Sequence, residues 1–198
     1  MLVYVIDDDA AVGRTVSRFA DRAGWDTACF DSADGFLARI DELPFGCIVS
    51  DINMPGMNGI ELIEILHARC PEWPVIIMTA FGEVNAAVRS FRHGAVHFLQ
   101  KPFKRADFLS ALGEAADIGA RRQQESHRRQ QSSALKRLTK RETEVLGALA
   151  DGLQSKTIAW QFGISTRTVE MHRSNILSKL GARNTSQAVG LLQMGSAP

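Results

Sequence analysis

The chain opens on an apolar, β-branched run, Leu2-Val3-Tyr4-Val5-Ile6, followed at once by three carboxylates. A short run of this kind reads as a buried strand. Over residues 10–23, Val12, Val16, Phe19 and Ala20 recur at helical spacing, and Gly24 ends the pattern. Thr27 to Phe30 reads as a short strand. Ser32 can cap a helix carrying Phe36, Leu37 and Ile40. Cys47-Ile48-Val49-Ser50 is another buried strand, ending in Asp51, and Met54 to Gly59 is a loop. A helix over 60–69 carries Leu62, Ile63, Ile65 and Leu66. Pro74 to Met78 is a strand ending in Thr79, and a helix over 83–92 is stopped by Gly94. Val96-His97-Phe98-Leu99 is a fifth strand, followed by Lys101-Pro102. A last helix over 105–117 carries Phe108, Leu109 and Leu112. Strands alternating with helices predict a parallel sheet covered on both faces, with right-handed crossovers. The size and order fit a flavodoxin-like, doubly wound five-stranded domain, α/β in class, with its chemistry at the C-terminal strand ends.

The pattern breaks near residue 118. Ala120 to Ser133 reads ARRQQESHRRQQSS, with Ala120 its one apolar residue. No apolar stripe can form there, so the segment is an exposed helix or a flexible linker. Glu, Gln and Arg favour the helix, and Ser132-Ser133 marks a break. Beyond it the helical period returns. Leu138, Val145, Leu146 and Leu149 form one stripe; Thr139 and Glu142 have capping-box spacing, and Asp151-Gly152 ends the helix. Ser155 can cap a second helix to Phe162. Gly163 allows a tight turn, and Ser165 caps a third helix with Val169, Ile176, Leu177 and Leu180 inward. Two short helices around a Gly turn suggest a helix-turn-helix in a small all-α domain. The organisation is therefore residues 1–118, a linker over 119–133, and residues 134–198.

Charge sharpens this division. The net charge of +1 over 198 residues conceals −7 in residues 1–118 and +8 in residues 119–198. A basic segment of this size fits nucleic acid, though charge alone equally fits a solvated surface. Apolar content of 45% is ordinary for a globular protein and excludes overall disorder. No apolar run reaches the ~18–20 residues needed to cross a bilayer, and the N-terminus is not a signal peptide. Cys29, Cys47 and Cys70 are too few and too scattered for a disulfide framework or a zinc site. These features place the protein in the cytoplasm, with its thiols reduced.

The strand ends carry candidate chemistry. Asp7-Asp8-Asp9 follows the first strand, Asp51 ends the third, Thr79 the fourth, and Lys101 follows the fifth. In this fold they converge on one crevice. Clustered carboxylates repel one another, and a hard divalent cation such as Mg²⁺ relieves the repulsion. A Lys and a hydroxyl beside such a metal suit a phosphoryl group, whose transfer needs mainly positioning and charge neutralisation. One carboxylate can then become an acyl phosphate. Taken singly, each residue has a plainer reading: Asp9 as a helix cap, Lys101 as a solvated charge.

Val5-Ile6-Asp7-Asp8-Asp9, Ser50-Asp51-Ile52-Asn53-Met54-Pro55-Gly56-Met57-Asn58-Gly59, Met78-Thr79-Ala80 and Phe98-Leu99-Gln100-Lys101-Pro102-Phe103 together resemble the receiver domain of two-component response regulators. The resemblance implies that Asp51 accepts phosphate from a sensor histidine kinase. It implies that Asp7, Asp8, Asp51 and the backbone carbonyl of Asn53 hold Mg²⁺, and that Thr79 and Lys101 bind phosphoryl oxygens. It also implies a cis Lys101-Pro102 bond and an aromatic switch at Phe98, which has no hydroxyl and can report its state only by burial. Asn53 and Phe81, flanking the phosphoryl site, would tune phosphate lifetime.

The second half resembles the LuxR-type helix-turn-helix domain. The segments that carry this are Thr139-Lys140-Arg141-Glu142-Thr143-Glu144-Val145-Leu146, Gly152 to Ala159, Ile164 to Ile176 and Lys179-Leu180, with Ser186 to Met194 as a closing fourth helix. The order of domains is that of NarL/FixJ-type regulators, on the FixJ-like branch. Relatives commonly carry Asn where Ser155 stands and Lys where Glu170 stands. The resemblance turns Glu170, Met171 and Ser174 toward base edges. Glu170 there either accepts from a cytosine amino group or orients Arg173. Lys156, Thr166, Arg167, Thr168, His172, Arg173 and Lys179 are the candidates for phosphates.

The function implied is a response regulator that dimerises on phosphorylation, around Val88, Phe91 and Lys104, and binds double-stranded promoter DNA. RNA polymerase is the implied further partner, and activation is commoner than repression in the family. It is not a dedicated enzyme, although phosphotransfer and dephosphorylation at Asp51 would be self-catalysed. A haloacid-dehalogenase-type phosphatase also uses Asp-x-Asp after its first strand. It needs a further acidic pair after the Lys, where residues 102–118 offer only isolated Asp107, Glu114 and Asp117. The remaining alternative is a regulator whose receiver is an interaction module independent of phosphorylation.

Overall fold

A computed structural model describes residues 1–80 and 91–195. The expected 83–92 helix, with Val88, falls almost wholly outside these residues, as does Phe81. The chain divides into two compact units, Met1–Gln124 and Glu125–Pro198.

In the first unit five strands, β1 (Leu2–Ile6), β2 (Asp26–Phe30), β3 (Gly46–Asp51), β4 (Val75–Thr79) and β5 (His97–Gln100), form one parallel sheet in the order β2-β1-β3-β4-β5. Alternate residues of β1 face opposite sides, as the strand period of two requires. Val3 and Val5 pack with Val16, Ala20, Phe108, Ala111 and Leu112. Tyr4 and Ile6 pack with Phe36, Leu62, Ile63, Leu66 and Trp73. The helices Ala10–Asp21 and Arg105–Lys136 therefore cover one face, and Ala33–Leu37 and Gly59–Arg69 the other. The helix expected through Ile40 stops at Leu37, and a 3-10 turn, Ile40–Glu42, replaces its last turn. Lys101-Pro102 is cis.

The strand order reverses between β1 and β3, and the crevice outside such a reversal is where doubly wound folds bind ligands. Register does the rest. Ile6 pairs with Ser50, so Asp7 and Asp51 emerge side by side. Thr79 pairs with Gln100, so Lys101 stands one residue beyond Thr79.

The helix expected over 105–117 runs without a break from Arg105 to Lys136, through the linker and past the break expected at Ser132-Ser133. At Gly119 a Cβ would lie 2.8 Å from Pro74, so the glycine permits close packing that offsets its low helix propensity.

In the second unit four helices follow, Lys140–Ala150, Ser155–Phe162, Thr166–Leu180 and Thr185–Gly195. Val145, Leu146, Ile158, Val169, Ile176, Leu180 and Ala188 form its core. Thr139 and Glu142 make the expected capping box, and Ser165 accepts from the Thr168 N–H. Gly163 turns the chain between the second and third helices at φ 64°, a left-handed conformation that favours glycine.

Candidate functional site

Each acidic residue at the crevice has a distinct setting. Asp7 is buried; its Oδ1 accepts from the Asp9 N–H at 2.9 Å and its Oδ2 from Lys101 Nζ at 2.8 Å. Asp9 caps the first helix through the Ala11 N–H. Asp51 is buried at the end of β3, and its Oδ1 lies 3.0 Å from Lys101 Nζ. Asp8 is exposed, so the cluster opens to solvent. One oxygen from each of Asp7, Asp8 and Asp51 lies within 4.8 Å of the others. Asp51 is further fixed by its neighbours: the Ile52 N–H donates to Met78 O, and the Gly59 N–H to Ile52 O. A Cβ at Gly59 would overlap the Asp51 carbonyl oxygen and Ile52 Cα.

Burial pushes the Asp51 carboxyl above its ordinary range, and the Lys101 ammonium only partly offsets this. Burial would lower Lys101, but its bonds to Asp7 and Asp51 outweigh it and hold the ammonium above its ordinary value. Three carboxylates face one ammonium, an excess of negative charge. All-oxygen donors with one side open suit Mg²⁺, which takes a few carboxylates and keeps waters. The residues present fit that ion.

Thr79 is buried at the end of β4, and its backbone carbonyl accepts from the Lys101 N–H at 2.7 Å. Asn53 is exposed in the loop leaving β3. Phe98 is 37% exposed and meets Phe91 edge-on, with ring centroids 5.7 Å apart.

In the second unit the expected contact residues lie along two helices. Lys156, Thr166, Arg167, Glu170, Met171 and Ser174 are exposed. Thr168 is half-buried and bonded to Ser165. His172 is half-buried, with Nδ1 unpartnered among the described residues.

Two expectations meet a different geometry. Ser155 is not a cap: it is the first helical residue after Gln154, which makes no side-chain cap bond, and Ser155 Oγ instead accepts from Arg173 Nη1 at 2.9 Å. Lys179, expected at a phosphate, has its Nζ 2.7 and 2.9 Å from the two oxygens of buried Glu142. Sequence reasoning missed both this pair and the bond from Arg173 Nη2 to Thr185 Oγ1 at 3.0 Å. The spacing from Glu142 to Lys179 gives no local signal for the pair. A hydroxyl at the start of the last helix was the one available sign of the second.

Each unit matches a known family. The family described as response regulator receiver domain matches residues 3–113, and that described as bacterial regulatory proteins, luxR family, matches residues 136–192. The transcriptional regulatory protein FixJ of Bradyrhizobium diazoefficiens is 41% identical over 191 residues, covering 96% of this chain and 93% of that protein. The transcriptional regulatory protein TdiR of Thauera aromatica is 33% identical, covering 98% of this chain and 86% of that protein. Among solved structures, the response regulator StyR superposes with a TM-score of 0.65 at 37% identity, covering 97% of this chain and 98% of that one. Full-length FixJ from B. japonicum superposes at 0.59 and 36% identity, covering 98% and 96%. Matches to both families in this order, with near full-length relatives, place the chain among the FixJ-like two-component response regulators, which join a receiver to a LuxR-type DNA-binding domain.

Proposed function

We propose that Asp51 accepts a phosphoryl group from a sensor histidine kinase and that this acyl phosphate switches the protein to a DNA-binding dimer. The single observation that carries the reading is the Asp51 carboxylate, buried beside Asp7 and Asp8 and held 3.0 Å from the Lys101 ammonium. A carboxylate oxygen of Asp51 forms a bond to phosphorus as the bond from phosphorus to the kinase histidine nitrogen breaks. Asp7, Asp8, Asp51 and the Asn53 carbonyl would hold Mg²⁺, which supplies charge neutralisation for the phosphoryl oxygens when bound. Lys101 exchanges its contact with the Asp51 carboxylate for a phosphoryl oxygen. The Thr79 hydroxyl donates to another and moves inward. Phe98 then leaves its exposed position for the space vacated, and the surface carrying Phe91 and Lys104 becomes a dimer interface. This is a local charge change biasing a two-state element.

Dimerisation brings two DNA-binding units onto a two-fold related promoter site, and binding gains by avidity. Lys156, Thr166, Arg167, Thr168, His172 and Arg173 contact phosphates, while Met171 and Ser174 face base edges. The bound dimer presents itself to RNA polymerase in the cytoplasm and activates transcription. Water attack on the acyl phosphate ends the signal, with Asn53 and Phe81 setting its lifetime.

The test is phosphoryl incorporation from a phosphorylated histidine kinase in the presence of Mg²⁺. Wild type should take up close to one alkali-labile phosphoryl group per chain, and Asp51→Asn none. Equal incorporation in both, or none in either, would leave the receiver as an interaction module independent of phosphorylation at Asp51.

A further inference from the structure

The Arg173 guanidinium is already engaged inside the protein. Nη1 donates to Ser155 Oγ and to Glu170 Oε1, both at 2.9 Å, and Nη2 donates to Thr185 Oγ1 at 3.0 Å. The three acceptors belong to three helices: Ser155 opens one, Glu170 sits a turn before Arg173 on its own, and Thr185 opens the last. The Ser155 hydroxyl and the Arg173 guanidinium together hold the Glu170 carboxyl below its ordinary range. The guanidinium thus ties Ser155, Glu170 and Thr185 together.

An unrestrained arginine loses much rotamer freedom when it binds a ligand. Here that loss has occurred on folding. A guanidinium has five N–H groups, and these bonds engage three of them. The remaining two, Nε–H and the second N–H of Nη2, lie on a side chain that is 31% exposed. Two N–H groups in one plane suit two oxygens of a phosphate. The Glu170 carboxylate, by contrast, already accepts from the Arg173 guanidinium, which suits a tether better than a base reader.

We propose that Ser155, Glu170 and Thr185 are positioning residues that hold Arg173 as a preset clamp for one DNA backbone phosphate, and that Glu170 reads no base. The proposal rests on the DNA-binding reading above.

The experiment uses the full chain with Mg²⁺ and beryllofluoride, and a duplex selected from a random-sequence library by the wild-type protein. Dissociation constants are measured for that duplex and for each of its single-base-pair variants, across a range of salt, with urea midpoints to confirm folding. Arg173→Ala should flatten the slope of log K against log salt by about 0.9, the loss of one phosphate contact. Glu170→Ala should weaken binding about three- to tenfold, by the same factor on every duplex, because ordering Arg173 then falls on the binding step. Glu170→Gln, whose amide oxygen can still accept from Arg173, should recover most of that loss. Discrimination lost at a single C·G pair in Glu170→Ala or Glu170→Gln, by roughly fivefold or more, would make Glu170 a base reader and overturn the proposal. Wild-type constants and slopes in Glu170→Ala and Arg173→Ala would overturn it as well. Failure of the wild-type protein to select any duplex would instead overturn the DNA-binding reading on which it rests.

Discussion

The Lys101 ammonium lies 3.0 Å from Asp51 Oδ1, although the two residues leave different strands of the sheet. The same nitrogen touches Asp7, so one cation is shared by two buried carboxylates. A divalent ion entering the crevice meets carboxylates already partly neutralised. Lys101→Ala should therefore bind Mg²⁺ more tightly, by about three- to tenfold, the effect of roughly 1 kcal/mol of removed charge competition. Calorimetric titration with Mg²⁺ measures this. Weaker binding than wild type would contradict the arrangement of charges described above.

Gly59 backs directly onto the peptide that carries Asp51. Gly59→Ala places a methyl group against the Asp51 carbonyl oxygen and Ile52 Cα, both backbone atoms that cannot step aside. Overpacking of this kind destabilises by about 1–3 kcal/mol. The urea midpoint should fall, and Mg²⁺ affinity should fall with it because the Asp51 loop shifts. A variant as stable as wild type would show that this loop yields without loss.

The buried Glu142 carboxylate is balanced by Lys179 and by the backbone and hydroxyl of Thr139. Burial would raise its pKa; Lys179 and Thr139 outweigh burial and hold it below the ordinary value of 4.5. A lowered folded pKa gives stability that is fully present above 4.5 and is lost as pH falls through the folded value. Lys179→Met should cost roughly 1–3 kcal/mol at pH 7, less than a fully buried pair because Lys179 remains partly exposed. The gap to wild type should close as urea unfolding is repeated at lower pH, below that value. A gap that widens on acidification would reverse the sign and refute the pairing.

Phe98 stands partly exposed against Phe91, with no hydroxyl to anchor it. As a switch it can act only through where the ring is buried. Phe98→Ala should take up phosphate from a phosphorylated kinase within about twofold of wild type, yet associate at least about tenfold more weakly afterwards, since an aromatic ring lost from a contact costs roughly 1.5 kcal/mol or more. Phosphorylation kinetics followed by sedimentation separates the two steps. Unchanged association would remove Phe98 from the switch.

The sheet and its crevice were legible because both depend on short-range pattern. Apolar runs that end in Asp51 and Thr79, or that lead directly into Asp7 and Lys101, name their own strand ends, and parallel register brings those ends together. Gly163 and Ser165 announced the turn between two helices for the same reason. What escaped the sequence depends on contacts between distant elements. Nothing near Glu142 indicates that Lys179 will meet it, and nothing near Arg173 indicates Thr185. Ser155 looked like a cap because Ser favours that position locally; the guanidinium of another helix claims its oxygen instead. The break expected at Ser132-Ser133 did not occur, since the surrounding Gln, Glu and Arg favour helix and two serines cost too little to end it.

Sedimentation of the full chain with Mg²⁺, before and after beryllofluoride, a mimic of the acyl phosphate, tests the central claim most directly. Asp51→Asn runs alongside. Wild type should pass from monomer to dimer on addition of beryllofluoride, and Asp51→Asn should stay monomeric throughout. The same sedimentation coefficient for wild type with and without beryllofluoride, or an equal shift in Asp51→Asn, would contradict a dimer switch operated through Asp51.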